Sequence, residues 1–176
     1  MPLIAMGSRA KHIRFKGNAE TRDAALLLIH EPGDTALIER GCPRFIVMRC
    51  PCGCGENLFA NLDNRAGPAW RFYRKQNKLT LFPSYWREDA CESHFILWND
   101  RVFWCDLGED FWEVDREVRD IVLRALPSDE FADYVSIADQ LNRIPWEVLQ
   151  ACRRLQFEKR VVGNKGRRST AFKKKA

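Results

Sequence analysis

The run Arg49-Cys-Pro-Cys-Gly-Cys-Gly-Glu places thiols at Cys50, Cys52 and Cys54, and a second group follows in Cys91-Glu-Ser-His94 and Cys105. Thiolate and imidazole are the donors that suit tetrahedral zinc or an iron-sulfur cluster. Glycines between the cysteines let the backbone turn tightly around an ion. A Cys-x-Cys pair on one loop and a Cys-x-x-His pair on another can meet as four ligands, which makes Cys52, Cys54, Cys91 and His94 the first choice. Side chains two apart on an extended chain share a side, so Cys50 is a reserve ligand. Cys105, which closes the hairpin that starts near His94, is a second. Cys42 and Cys152 stand alone and read as packing residues, and His12 and His30 have no ligand-spaced neighbour.

Two loops meet only if a framework holds them. From Lys11 to Cys105 the chain reads as short strands rich in Ile, Leu, Val and aromatics, at 12–16, 24–30, 35–39, 45–49, 69–74, 78–82, 94–98 and 101–105. Turn residues such as Pro32-Gly33-Asp34 separate them, and Asn99-Asp100 supplies a left-handed hairpin turn. After Cys105 the period changes to that of helices. Val118, Ile121, Val122 and Ala125 form one apolar stripe over 114–126, a second helix begins near Ser136, and a third starts at Pro145. A strand, a Gly-rich turn and a strand close the chain. The expected fold class is therefore an all-β metal-binding domain over 1–107 followed by a winged helix-turn-helix over 113–173, α+β overall, with 174–176 as a basic disordered tail.

The 176 residues, with six Trp and eleven Phe, suffice for one domain or two small ones and for packed cores. No apolar run approaches a membrane span, the start is too short for a signal peptide, and the chain is expected in the cytoplasm. There an odd count of seven cysteines reads as metal chemistry rather than disulfides. The net charge of +5 is divided unevenly: residues 142–176 carry eleven Lys/Arg against two acids. Positive charge gathered in one segment is the footprint of polyanion binding.

Cys50-Pro-Cys-Gly-Cys-Gly-Glu, Leu79-Thr-Leu-Phe-Pro-Ser, Cys91-x-Ser-His-Phe and Arg101-Val-x-Trp-Cys together resemble an uncharacterised bacterial family of small metal-binding proteins. Some of its members are encoded beside ubiquitin-like conjugation components. The resemblance covers roughly residues 35–105 and implies metal binding without an activity. The two-loop arrangement is also similar to the Rieske type, from which it departs by having Cys54 where the first histidine would stand.

These readings converge on a zinc-stabilised protein that binds double-stranded DNA, with a [2Fe-2S] cluster as the alternative cofactor. In the winged helix Gln150, Arg153 and Arg154 lie on the expected exposed face of the recognition helix, and Lys165, Arg167 and Arg168 in the wing. One alternative is an adaptor of a ubiquitin-like or defence system that docks a protein partner through the same module; another is a Rieske-like electron carrier. No Walker loop, nucleophile elbow or HExxH motif occurs, so the chain reads as a non-enzyme with neither a small-molecule substrate nor a membrane partner.

Overall fold

The computed structural model describes residues 9–107 and 114–176, apart from residue 167. The chain divides into two compact units, 1–109 and 110–176. Both are rich in short strands, with most of the helix in the second, so α+β describes the chain. Among the described residues no helix is long and apolar enough to cross a membrane.

In the first unit β1 (Arg14–Ala19), β2 (Asp34–Glu39), β3 (Pro43–Arg49) and β4 (Asn57–Asn61) form a sheet in that order. Strand alternation sends β3's side chains to two cores. Ile46, Met48 and the following Cys50 enter the larger one with Leu37, Leu58, Phe95 and Trp104, while Val47 packs with Ala36, Ile38, Ala25 and Ile29. The second core is covered by α1 (Arg22–Leu26), in a stretch the sequence reads as strand. The short apolar run fits either period, and Thr21 decides locally by accepting the N–H of Ala24 as a helix cap.

β5 (Arg71–Lys75) and β6 (Lys78–Phe82) form a hairpin, and β7 (Tyr85–Trp86), β8 (His94–Trp98) and β9 (Arg101–Trp104) form a three-stranded sheet. Asn99 and Asp100 take positive φ of 50° and 64° between β8 and β9, as the turn residues predict. Leu79 donates its N–H to the Asp100 carboxylate at 2.7 Å, tying the β6 hairpin to that turn.

The second unit runs α2 (Arg116–Ala125), β10 (Ala132–Asp133), α3 (Tyr134–Gln140), α4 (Pro145–Phe157), β11 (Val161–Gly163) and β12 (Ala171–Lys174), its strands ordered β10-β12-β11. Pro145 stands at the start of α4, where its missing N–H costs nothing. Asp133 rather than Ser136 caps α3, accepting from Val135 N. Lys174, assigned by sequence to the tail, closes β12, and Lys175 donates its N–H to Arg160 O at 3.0 Å.

Candidate functional site

The connection from β3 to β4 is the cysteine loop. Cys50 N–H donates to Glu56 O at 2.8 Å and Gly53 N–H to Cys50 O at 3.1 Å, so the loop folds back on its first residue. Gly53 and Gly55 hold φ of 84° and 87°, which a side chain would strain. Cys91 enters from the connection between β7 and β8. The sulfurs of Cys50, Cys52, Cys54 and Cys91 all lie within 4.8 Å of one another. Cys50 Sγ is 3.3 Å from Cys52 Sγ and 3.7 Å from Cys91 Sγ.

This set fits one metal ion. Tetrahedral zinc with bonds of about 2.3 Å spaces its sulfurs by roughly 3.8 Å. A bound divalent ion would change the ionisation of these thiols. Burial pushes the Cys50 and Cys54 thiols above their ordinary range, and a bound divalent ion reverses that cost. At Cys91 burial works the same way, but contacts with Ser93 and the neighbouring thiols outweigh it and bring the thiol down to about 7. Ser93 is buried, with its hydroxyl 3.1 Å from Cys91 Sγ and 3.7 Å from Cys50 Sγ.

Of the quartet expected from sequence, the structure brings Cys52, Cys54 and Cys91 together with Cys50, the reserve, and leaves His94 out. Cys50 continues the inward face of β3, which delivers its sulfur to the loop. Cys105 sits beside β8, its N–H on His94 O at 3.0 Å, and is not among the clustered thiols. Cys152 is fully buried in α4, and Cys42 is half-buried.

The His94 ring turns elsewhere: its Nε2 lies 3.1 Å from Ser84 Oγ. Ser84 follows the cis Phe82–Pro83 peptide and precedes β7, and both side chains are half-buried. Trp86 stacks on the imidazole with ring centroids 5.4 Å apart and planes 24° from parallel. A half-buried hydroxyl facing an imidazole nitrogen at this distance can be activated as a nucleophile by proton transfer to the ring. Sequence reasoning assigned no role to Ser84, Trp86 or Ser93. The one signal was the presence of Phe-Pro-Ser and Ser-His among the motifs of the resemblance.

In the second unit the expected base-reading face is corrected at one residue. Gln150 is 5% exposed, with an Nε2 that finds no partner among the described residues, because α4 packs against both α2 and α3 and buries a broad face that includes Trp146, Val148, Leu149 and Leu155. Arg153 is half-buried. Arg154 is exposed, paired with Glu158 at 3.1 Å and placed over the Phe157 ring. Lys165 and Arg168 are exposed between β11 and β12, and Arg167 lies outside the described residues. A separate open groove of about 640 Å³ is lined by Leu123, Arg124, Lys159, Arg160, Lys174 and Lys175, together with Ala176.

Residues 24–105 match the model of a family described as bacterial ubiquitination-like system serine protease (BubE). The match spans just under half of the chain and includes the four clustered cysteines, Ser84 and His94. It is to a family of a bacterial ubiquitination-like system, as the resemblance drawn from the cysteine motifs leads one to expect. No curated protein and no solved structure gives a significant match to the chain.

Proposed function

We propose that the first unit is a zinc-stabilised serine hydrolase that cleaves a protein substrate within a bacterial ubiquitination-like system. The observation that carries this reading is the 3.1 Å approach of Ser84 Oγ to His94 Nε2, inside the region matched by a serine protease family. With the imidazole neutral and its proton on Nδ1, Nε2 would take the Ser84 proton as Oγ attacks a carbonyl carbon. The resulting imidazolium returns that proton to the leaving group. An acyl-serine remains, and water activated by the same imidazole releases the acid and restores the hydroxyl. Cys50, Cys52, Cys54 and Cys91 would hold the ion, which would supply folding free energy rather than a bound water for the reaction. One ion suits sulfurs this close better than a two-iron cluster, whose bridging sulfides hold the cysteine pairs further apart.

The test is a fluorophosphonate probe, which phosphonylates activated serines. The full chain should be labelled at Ser84, with labelling abolished in Ser84→Ala and reduced on the order of 100-fold in His94→Ala. Absence of labelling at Ser84 in zinc-loaded, folded protein would overturn the reading.

A second reading concerns the second unit and rests on its element order. Helix, strand, two helices and a two-stranded ribbon are the parts of a winged helix, and with the +9 balance of residues 142–176 they support binding of double-stranded DNA. Among the described residues, exposed basic groups available for phosphates include Arg154, Lys165 and Arg168, and the groove-lining Arg124, Lys159 and Arg160. The alternative role for this unit is an adaptor that docks a protein partner.

A further inference from the structure

We propose that Trp86 is the positioning residue for His94: its indole fixes the plane of the imidazole toward Ser84 and stabilises the cation formed when the ring takes the Ser84 proton. This rests on the Ser84–His94 reading above. Trp86 and His94 stand directly opposite in the antiparallel β7–β8 pair, where facing side chains touch. Ser84 lies two residues before Trp86, the spacing that returns a side chain to the same face of an extended chain. One short hairpin therefore gathers hydroxyl, imidazole and indole on one side.

The division of labour within β7 points the same way. Tyr85 is the packing residue, stacked between Trp70 at 5.2 Å and Phe95 at 5.8 Å. Trp86 is 58% exposed and belongs to neither core. A tryptophan left half in water contributes little to folding by burial. Its stacked contact is with His94, and an aromatic face beside an imidazolium stabilises the charge. The charge develops only as the base accepts a proton, so the contact acts on the chemical step rather than on the resting fold. The stack also restrains rotation of the ring, which keeps Nε2 aimed at Oγ.

The test uses full-length, zinc-loaded protein and the second-order rate of Ser84 labelling by a fluorophosphonate. Trp86→Ala should label on the order of tenfold more slowly than the unchanged chain, Trp86→Phe within about threefold of it, and Trp86→Leu as slowly as Ala, because leucine is apolar but has no π face. Zinc content and the thermal melt should be alike in all of them. Unchanged labelling in Trp86→Ala, or rescue by leucine equal to that by phenylalanine, overturns the assignment while leaving the Ser84–His94 reading intact. If the unchanged chain is not labelled at Ser84, both fall together. Should Trp86→Ala lose its fold, the comparison of phenylalanine with leucine decides.

Discussion

Cys91 in the β7–β8 connection and His94 at the start of β8 are three residues apart and face different partners: Cys91 Sγ lies 3.7 Å from Cys50 Sγ, while His94 Nε2 lies 3.1 Å from Ser84 Oγ. The connection between β7 and β8 is held at one end by the thiol cluster and closed at the other by the Arg87 N–H to Ser93 O bond of 2.9 Å. That register sets Trp86 opposite His94, with Ser84 two residues earlier on the same side and within reach of the ring. Removing the ion should therefore disable the hydroxyl–imidazole pair along with the local fold.

Chelation is expected to lower the thermal melt and the rate of fluorophosphonate labelling together, since a structural zinc site contributes on the order of 10 kcal/mol of apparent folding free energy. Zinc added back should restore both. A melt that moves while labelling persists would mean the hairpin keeps its register without the ion.

Ligand variants separate the two donor sets. Cys50→Ser, Cys52→Ser, Cys54→Ser and Cys91→Ser should each lose the one zinc per chain, whereas His94→Ala and Cys105→Ser should retain it. Metal analysis of the purified variants decides. Zinc lost from His94→Ala and kept in Cys50→Ser would restore the quartet read from sequence spacing.

The difference between those quartets marks where sequence stops informing. Thiol spacing exposed the cluster, and Pro145 with Val148, Leu149, Cys152 and Leu155 exposed α4, because both signals are local. Whether Cys50 or His94 completes the thiol set depends on β3 carrying Cys50 inward after Ile46 and Met48, and on the β7–β8 register turning His94 toward Ser84. Neither is encoded within a few residues. β4 went unread because Leu58-Phe59-Ala60 is a short run directly behind the cysteines, and its strand character comes from pairing with β3. Gln150 looked exposed because polar residues generally are. Packing of α4 against α2 and α3 buries a face broad enough to include Gln150, which outranks that tendency.

Gln150 itself yields a prediction. Its buried amide nitrogen has no partner among the described residues, which costs stability, and an apolar side chain of similar size removes that cost. Gln150→Leu should be neutral or stabilising by about 1 kcal/mol in chemical denaturation of the second unit. It should leave duplex affinity unchanged, in contrast to the loss expected of a residue that reads a base edge. A sequence-selective loss of binding would return Gln150 to the interface.

Asp34 gives the first unit an acid limit. Burial opposes its ionisation, but the N–H groups of Glu31 at 3.0 Å and His30 at 3.1 Å and the Arg14 guanidinium at 2.8 Å outweigh it and hold the carboxyl below its ordinary 3.8. A carboxyl depressed on folding adds stability above its unfolded value and loses it as pH falls through the folded value. Asp34→Asn should thus cost about 1–3 kcal/mol at neutral pH. The gap from the unchanged chain should begin to narrow near pH 3.8 and continue to close below it. Taking the difference between the two proteins at each pH cancels any effect of acid that both share. A gap constant down to pH 2 would show that the carboxylate's charge adds nothing.

The basic groove of the second unit can be told apart from the wing by salt dependence. Lys159 and Arg160 are exposed at the end of α4, and Arg160 is only 3.9 Å from Asp120, a long and solvated pair that leaves its charge available. Lys174 is less free, since its ammonium donates to Arg124 O at 3.3 Å. Each phosphate contact releases about one counterion, so Lys159→Ala with Arg160→Ala should weaken every duplex alike and reduce the salt slope by roughly two units if this groove holds the backbone. Lys165→Ala with Arg168→Ala should do the same if the wing holds it. Titrations of both double variants at several salt concentrations assign the surface. Should neither pair change retention of a duplex, the positive charge of residues 142–176 is a solvated face, and protein docking replaces DNA binding as the role of this unit.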